Sequence, residues 1–249
     1  HYFPYGGLQR DFLRIATMCH EKGHEVHVFT MAFDGKKPHW MKLHLIEKRG
    51  LTNALQCKRY VSAVLSQIAG GFDRVIGFNK MPGLDVYYAA DGCFAVRPKY
   101  TSFPWLKYLP RYQTYRSLEA GVFGPASQTT CLLIAEKTLR EYQQVYKTPD
   151  TRLHLLPPGI SQDRVAPSDF RRCREKMRKR FKIKDDQFML LAIASRFHTK
   201  GVDRSLKALS RLPKDLQARC QFFVIGDDRF KPYLKLAKAT KVNVKFVGS

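Results

Sequence analysis

The sequence predicts an α/β protein built from parallel sheets in two domains. Strand-like apolar runs alternate with amphipathic segments along the chain, which is typical of parallel sheets covered by helices on both faces. The alternation breaks at 157–159, where two prolines and a glycine follow a short strand. Because 249 residues exceed a typical single core, we expect a domain boundary near this break.

In the first half, the apolar spacing sets each predicted element. A helix over 8–22 places Leu8, Phe12 and Ile15 on one stripe, and Gly23 ends it. Helices are also predicted at 53–68 and 136–146, and strands at 26–29, 43–46, 74–78, 86–90 and 129–135.

Beyond the break the pattern restarts, with helices predicted at 170–181, 202–212 and 230–239 and strands at 188–194, 222–225 and 244–247. Three strands are few for an independent doubly wound domain, so we expect this domain to be incomplete. The predicted organisation is an N-terminal domain over 1–155 that lacks its first strand, a linker over 156–169, and a partial second domain over 170–249.

The charge is strongly positive, +23 with a pI near 9.9. Such a surface attracts nucleic acid, an anionic membrane or an anionic substrate, and composition does not choose among them. Apolar runs stay shorter than the roughly 18 residues that a membrane-spanning helix needs. The six cysteines are evenly spread without a close pair, which favours buried, reduced residues and a cytosolic location.

Two short segments have the composition of phosphate-binding turns. Gly6 and Gly7 lead into the first helix, and Arg196 and Lys200 stand four residues apart after the strand at 188–194, just before Gly201. Glycine allows backbone N–H groups to approach a ligand, and helix N-termini carry partial positive charge. One segment lies in each half, so we expect a phosphorylated ligand between the two domains.

Two basic regions account for much of the charge. Residues 97–116 combine cations with aromatic rings and contain no acid, which suits an anionic bilayer surface; a loop packed on its own domain is the alternative. The expected membrane-contact residues are Lys99, Trp105, Lys107, Tyr108, Arg111 and Tyr112. Residues 171–184 carry nine cations and one acid, and form either a solvated face or a contact to a phosphorylated ligand.

Several segments resemble one enzyme family, the bacterial lipopolysaccharide core glucosyltransferases I. They are residues 1–11, 77–87, 89–91, 156–160 and 200–205, of which Asn79-Lys80-Met81-Pro82-Gly83 is the most specific. The resemblance implies a retaining GT-B glycosyltransferase of family 4, with two Rossmann-like domains, truncated at both ends. It also implies transfer of glucose from UDP-glucose to an inner-core heptose of lipopolysaccharide, by a peripheral protein at the cytoplasmic face of the inner membrane.

The same resemblance implies roles for individual residues. Donor binding falls to Gly6, Gly7, Arg196, Lys200 and Gly201, and acceptor or sugar binding to Asp11, Asn79 and Lys80. Catalysis is assigned to Asp91 with Arg196 and Lys200, since negative charge grows on the departing diphosphate. Each role has an alternative without a ligand. Arg196 and Lys200 could be a solvated cation pair, Asp11 could stabilise the N-terminus of its own helix, and Lys80 could be a solvated surface residue.

No metal cofactor is expected, because the sequence has no Asp-x-Asp motif and GT-B chemistry does not need one. The family's Glu-x7-Glu motif, which supports the donor sugar, would lie after Ser249, so part of the donor pocket is expected to be missing. A GT-B transferase with another nucleotide sugar is the first alternative. A nucleic-acid-binding protein is the second; without a recognisable nucleic-acid module, no nucleic-acid partner is expected.

Overall fold

A computed structural model describes residues 1–4, 6–97, 102–160, 162, 165–194 and 196–248. The chain divides into two compact units, His1–Gly159 and Ile160–Ser249. The division falls inside the range 156–169 that the sequence suggests as a linker. The acceptor and donor roles of the two units stay predictions.

The first unit is an α/β assembly whose elements alternate along the chain. Its helices are α1 (Gly7–Glu21), α2 (Asn53–Ile68), α3 (Pro110–Phe123) and α4 (Glu136–Tyr146), with 3₁₀ turns at Pro104–Tyr108 and Asp150–Arg152. Its strands are β1 (His27–Thr30), β2 (Lys42–Leu45), β3 (Ile76–Gly77), β4 (Val86–Ala89), β5 (Thr130–Leu133) and β6 (Leu153–Leu155).

The ends of these helices follow local capping chemistry. The Thr52 hydroxyl accepts the Leu55 N–H at 3.2 Å and so caps the start of α2. After α1, Gly23 adopts a φ of +87° and its N–H bonds to the His20 carbonyl. A side chain would be strained at that φ, which explains why a glycine ends this helix.

The strands of the first unit pair in parallel throughout. β1 pairs with β2, and β3, β4, β5 and β6 form a four-stranded sheet in that order. A cavity of about 840 Å³ is lined by α1, by α2 and by residues before and along both β1 and β3, so it is not confined to the carboxyl ends of these strands. In parallel sheets the carboxyl ends of the strands meet at one edge, where α/β proteins place ligands.

Aromatic rings form the centre of the first core. Phe123 stacks on Tyr142 with ring centroids 3.5 Å apart, and Tyr87 meets Phe123 edge-on at 5.7 Å. All three side chains are buried. They tie α3 and α4 to β4.

The second unit is a smaller parallel assembly. Its helices are α5 (Phe170–Phe181), α6 (Phe197–Lys200), α7 (Val202–Leu209), α8 (Lys214–Arg219) and α9 (Lys231–Thr240). Its strands β7 (Phe188–Ile193), β8 (Cys220–Ile225) and β9 (Val244–Gly248) pair in sequence order. Buried Phe197, Leu206 and Val224 belong to its core.

One glycine sets the geometry at the carboxyl edge of this second sheet. Gly226 follows β8 with a φ of +132°, and a Cβ there would lie 1.9 Å from the Ala194 carbonyl oxygen. A side chain has no room, because the chains leaving β7 and β8 pass each other at van der Waals contact. This close approach brings the loop after β8 to the segment that contains Arg196.

Candidate functional site

The carboxyl edge of the first unit collects several of the predicted site residues. The Tyr88 hydroxyl of β4 donates to Asp11 Oδ2 at 2.9 Å, and the Phe12 ring packs edge-on against Phe78 after β3. The beginning of α1 therefore contacts the ends of both strands. Asn79 follows Phe78 and is exposed at the same edge.

Asp11 is held by this edge and not by its own helix. It is the fifth residue of α1, beyond the first turn, so attraction to the helix N-terminus does not explain its position. Burial, followed by the hydrogen bond to Asp11, raises the pKa of Tyr88 to about 12. Tyr88 therefore stays protonated and donates steadily to the Asp11 carboxylate.

The two glycines before α1 differ in their surroundings. Gly6 is the N-cap residue of α1, and a Cβ there would meet the Gln9 side chain at 1.8 Å and the Phe3 ring at 2.9 Å. A Cβ on Gly7 would meet no atom within 4 Å. Packing therefore accounts for Gly6, whereas Gly7 presents open backbone at a helix start.

Asp91 lies just beyond the end of β4, on an exposed turn. Its carboxylate makes no hydrogen bond or ion pair with a described residue, whereas its backbone carbonyl accepts the Tyr142 hydroxyl at 3.3 Å. The next carbonyl, of Gly92, accepts from Lys80 Nζ at 3.0 Å. The backbone of this turn is fixed, and the side chain is available to a ligand.

Lys80 does not stand in solvent, which was the alternative interpretation, and its predicted acceptor or sugar contact stays a prediction. Its ammonium lies 2.6 Å from Glu119 Oε1, and its side chain is 13% exposed. Glu119 is completely buried in α3. A buried carboxylate needs a counter-charge, and Lys80 supplies it from the turn after β3.

The charge state of Glu119 follows from opposing effects. Burial raises the pKa of this carboxyl, but the Lys80 charge, the Lys80 hydrogen bond and donors from Phe94 N–H and the Tyr146 hydroxyl outweigh it. The pKa is thus held below its ordinary value, and Glu119 is an anion at neutral pH.

Glu119 was not among the site residues predicted from the sequence. The signal that places it on the inner stripe of α3 is its spacing from buried residues, with Tyr112 at i−7, Val122 at i+3 and Phe123 at i+4.

In the second unit, the predicted cations stand at the carboxyl edge of the sheet. Arg196 precedes α6, Lys200 is the last residue of α6, and both are exposed with side chains that make no hydrogen bond or ion pair to described residues. Gly201 separates α6 from α7 with a φ of +77°. Two exposed cations therefore flank one short helical turn.

Asp228, a residue that the sequence did not point to, holds this turn from the loop after β8. Its Oδ2 accepts the Phe197 N–H at 2.7 Å, while its Oδ1 accepts the Arg229 N–H at 2.7 Å. These two hydrogen bonds lower the pKa of Asp228, and the bond from the Phe197 N–H has the larger effect. A cavity of about 230 Å³ opens beside it, lined by Phe197, Phe230 and Phe246 among others.

The predicted membrane-contact residues divide into exposed and buried groups. Trp105 and Tyr108, in the first 3₁₀ turn, are 61% and 85% exposed. Arg111 is exposed, and Lys107 is partly buried. Tyr112 corrects the expectation, because it is buried against Phe94 in a small cluster of its own unit. Lys99 lies outside the described residues.

The described residues contain no group of three or more side chains placed to hold a metal ion. Across the same residues, the helices are too short or too polar to span a bilayer.

Known proteins match the chain along nearly its whole length. The lipopolysaccharide glucosyltransferase WaaG of Escherichia coli is 38% identical over 248 residues, which cover 98% of this chain and 66% of the relative. A crystal structure of WaaG, described as a glycosyltransferase involved in lipopolysaccharide biosynthesis, superposes with a TM-score of 0.86 at 37% identity. The superposition covers 100% of this chain and 68% of the WaaG chain, so this chain spans about two thirds of the length of these relatives.

Two further comparisons agree with that match. Residues 173–249 fit the family model of glycosyl transferases group 1. The structure of Anabaena Alr3699/HepE, solved in complex with UDP and glucose, superposes with a TM-score of 0.64 at 15% identity. The match covers 98% of this chain and 66% of the HepE chain, and at this identity it shows a similarity of fold alone. The chain therefore has the GT-B fold and belongs to the glycosyltransferase family that contains the lipopolysaccharide glucosyltransferase WaaG.

Proposed function

We propose that the protein is a retaining hexosyltransferase that moves glucose from UDP-glucose to an inner-core heptose of lipopolysaccharide. The observation that carries the proposal is the identity of 38%, spread over 98% of the chain, to a lipopolysaccharide glucosyltransferase. The two ligand-facing edges add chemistry that suits this reaction. A GT-B transferase with a different sugar donor is the alternative.

The second unit supplies the donor side of the proposal. Transfer breaks the bond between the sugar C1 and the diphosphate oxygen, so negative charge grows on the diphosphate. Arg196 and Lys200 are exposed and make no ion pair with a described residue, although the Asp228 carboxylate interacts electrostatically with Arg196. Cations placed in advance stabilise that charge without metal ions. We assign the diphosphate to this pair beside Gly201, and the nucleoside to the neighbouring 230 Å³ cavity.

The first unit supplies the acceptor and sugar side. Asp91 has an exposed carboxylate on a fixed turn, which suits a hydrogen bond to a sugar or acceptor hydroxyl. Asp11 and Asn79 lie at the same edge and are assigned to further sugar contacts. In a retaining, front-side reaction the departing phosphate itself takes the proton of the acceptor hydroxyl. Gly7 offers open backbone beside Asp11 for the approach of the donor.

Contact with an anionic membrane is the second part of the proposal. Phe103, Trp105, Tyr108 and Leu109 form an exposed apolar segment that leads to the exposed Arg111. Aromatic rings next to cations bind at the headgroup level of anionic bilayers. This segment would hold the protein at the cytoplasmic face of the inner membrane, where a lipid-linked acceptor is exposed.

Calorimetric titration of UDP and of UDP-glucose tests the donor assignment. The protein should bind both, and the Arg196→Ala, Lys200→Ala double variant should bind roughly 100-fold more weakly, because two charge-assisted contacts are lost. A Lys207→Ala, Lys214→Ala variant removes the same charge from exposed positions of the same unit and should bind as the parent does. Equal binding by all three proteins would refute the assignment, and no binding by the parent would refute a UDP-sugar donor.

A further inference from the structure

Three side chains from other elements bind the turn that carries Asp91. Its carbonyls at Asp91 and Gly92 accept from the Tyr142 hydroxyl and the Lys80 ammonium. Its amides at 94 and 95 donate to the two oxygens of Glu119, at 2.8 and 3.2 Å, and the Cys93 thiol points at the same carboxylate at 3.7 Å. Each residue from 91 to 95 therefore makes a hydrogen bond with the side chain of Lys80, Tyr142 or Glu119.

Glu119 is the centre at which these contacts join. Besides the two amides, its carboxylate accepts from Lys80 at 2.6 Å and from the Tyr146 hydroxyl at 2.6 Å. The partners come from the turn after β3, the turn after β4, and α4, while Glu119 itself lies on α3. One buried carboxylate thus connects α3 and α4 with the turns after β3 and β4.

A charge in this position is unusual for a group that only fills the core. Replacing a buried ion pair with apolar side chains of similar volume is often neutral or stabilising, so Lys80 and Glu119 are a costly way to pack α3 against β4. The pair instead restricts the position of the backbone that it binds, because charged and bidentate hydrogen bonds are directional and apolar contacts are not. The fixed backbone is that of the turn from which the Asp91 carboxylate projects.

We infer that Lys80, Glu119 and Tyr142 are positioning residues, whose buried network fixes the Asp91 carboxylate for sugar transfer. The inference rests on the proposed function, which assigns Asp91 a contact with the reacting sugars. It gives Lys80 a role different from the ligand contact that the sequence implied. It predicts that breaking the network slows turnover while leaving donor affinity unchanged, since the diphosphate cations belong to the other unit.

The experiment compares Glu119→Gln, Lys80→Met and Lys80→Arg with Arg152→Met as the matched control. Arg152 binds the carbonyls of residues 122, 123, 124 and 129 at the end of α3, and it makes no contact with residues 91–95. Its loss therefore weakens the same helix without touching the turn. Measurements are hydrogen exchange of peptides that cover 90–97, thermal unfolding, UDP affinity, and kcat and KM for transfer from UDP-glucose.

Glu119→Gln and Lys80→Met should both speed exchange at 90–97 and lower kcat roughly 10- to 100-fold, the scale expected when a catalytic group is misplaced by about 1 Å. UDP affinity should stay the same, and Lys80→Arg should recover part of kcat. Arg152→Met should lower the unfolding temperature without changing exchange at 90–97 or kcat. If the network variants behave like Arg152→Met, the network is only structural and the inference is wrong. A parent without transferase activity would instead refute the proposed function, and unchanged exchange at 90–97 in the variants would still overturn the positioning role.

Discussion

At the scale of single residues, a substitution of Gly7 distinguishes a ligand contact from an effect on protein packing. Because a Cβ there meets no atom within 4 Å, Gly7→Ala should leave the unfolding temperature unchanged or slightly higher. If the donor approaches this backbone, the added methyl group should raise KM for the donor or lower kcat by about tenfold or more. Gly71→Ala is the control, because a Cβ there also meets no atom within 4 Å and Gly71 precedes β3, on the side away from the carboxyl end of that strand. Unchanged kinetics in Gly7→Ala would remove Gly7 from the donor site.

Glu119 makes a second prediction at this scale, on the pH dependence of stability. Its folded pKa lies below the ordinary 4.5, so its stabilising contribution is complete above about pH 4.5 and is lost as the pH falls through the folded value. Glu119→Gln should therefore cost about 3 kcal/mol at pH 7, and the difference from the parent should shrink in the acid range below pH 4.5. Urea unfolding of both proteins at several pH values measures this difference. A difference that stays constant down to pH 3 would contradict an ionised Glu119.

At the scale of elements, a buried guanidinium binds the end of α3, where the Thr148 hydroxyl also donates to the Phe123 carbonyl at 2.7 Å. Arg152 is buried and donates to four backbone carbonyls, among them those of Phe123 and Gly124 at the end of the helix. Arg152→Met should destabilise the first unit by about 3 kcal/mol, because these acceptors lose a charged donor and stay buried. Arg140→Met is the matched control, since its pair with Glu136 is exposed and worth less than about 1 kcal/mol. Equal losses in urea unfolding would show that Arg152 does not cap the helix.

The 3₁₀ turn that carries Trp105 and Tyr108 makes the second prediction at this scale. Sedimentation with anionic phosphatidylglycerol vesicles should recover the protein, and Trp105→Ser with Tyr108→Ser should weaken binding roughly tenfold, because two exposed rings are lost. Phe170→Ser removes an exposed ring from the other unit and is the control. Equal binding to neutral phosphatidylcholine vesicles, or no effect of the double substitution, would contradict the membrane assignment.

Elements with a regular apolar period could be predicted from the sequence, and α2, α4 and α5 have the predicted bounds. The strand expected at 74–78 shortens to β3, because the Val75 N–H bonds to the Asp85 carboxylate at 2.7 Å and not to a strand. The helix α3 was missed, since the charged Glu119 interrupts its apolar stripe. A pattern rule treats a charge as an outward position, although the spacing of Glu119 from Val122 and Phe123 places it on the inner stripe. The contact with Lys80, from a distant turn, supplies the counter-charge that makes this inward position possible.

The candidate site shows the same division between local and distant information. Arg196, Lys200 and Gly201 form a local motif, and the structure leaves both cations exposed after β7, as a phosphate site requires. Glu119 and Asp228 act through partners 39 and 31 residues away in sequence. No spacing rule relates such pairs, so the supports of the site could be found only from the folded chain.

For the whole molecule, metal independence follows from the donor assignment. In the proposed donor site, Arg196 and Lys200 would supply the positive charge that a divalent cation supplies in metal-dependent transferases. Transfer should therefore persist in EDTA at an unchanged rate. Activity that falls in EDTA and returns with Mg²⁺ would show that these two cations are insufficient.

The central claim for the whole molecule is glucose transfer, and product analysis tests it most directly. The protein is incubated with UDP-glucose labelled with ¹³C at C1 and a heptose-terminated lipopolysaccharide core, and the product is examined by mass spectrometry and NMR. We predict one added hexose, carried on heptose, with the anomeric configuration of the donor retained. A product with inverted configuration would contradict the retaining mechanism, and absence of transfer from any UDP-sugar would contradict the account as a whole.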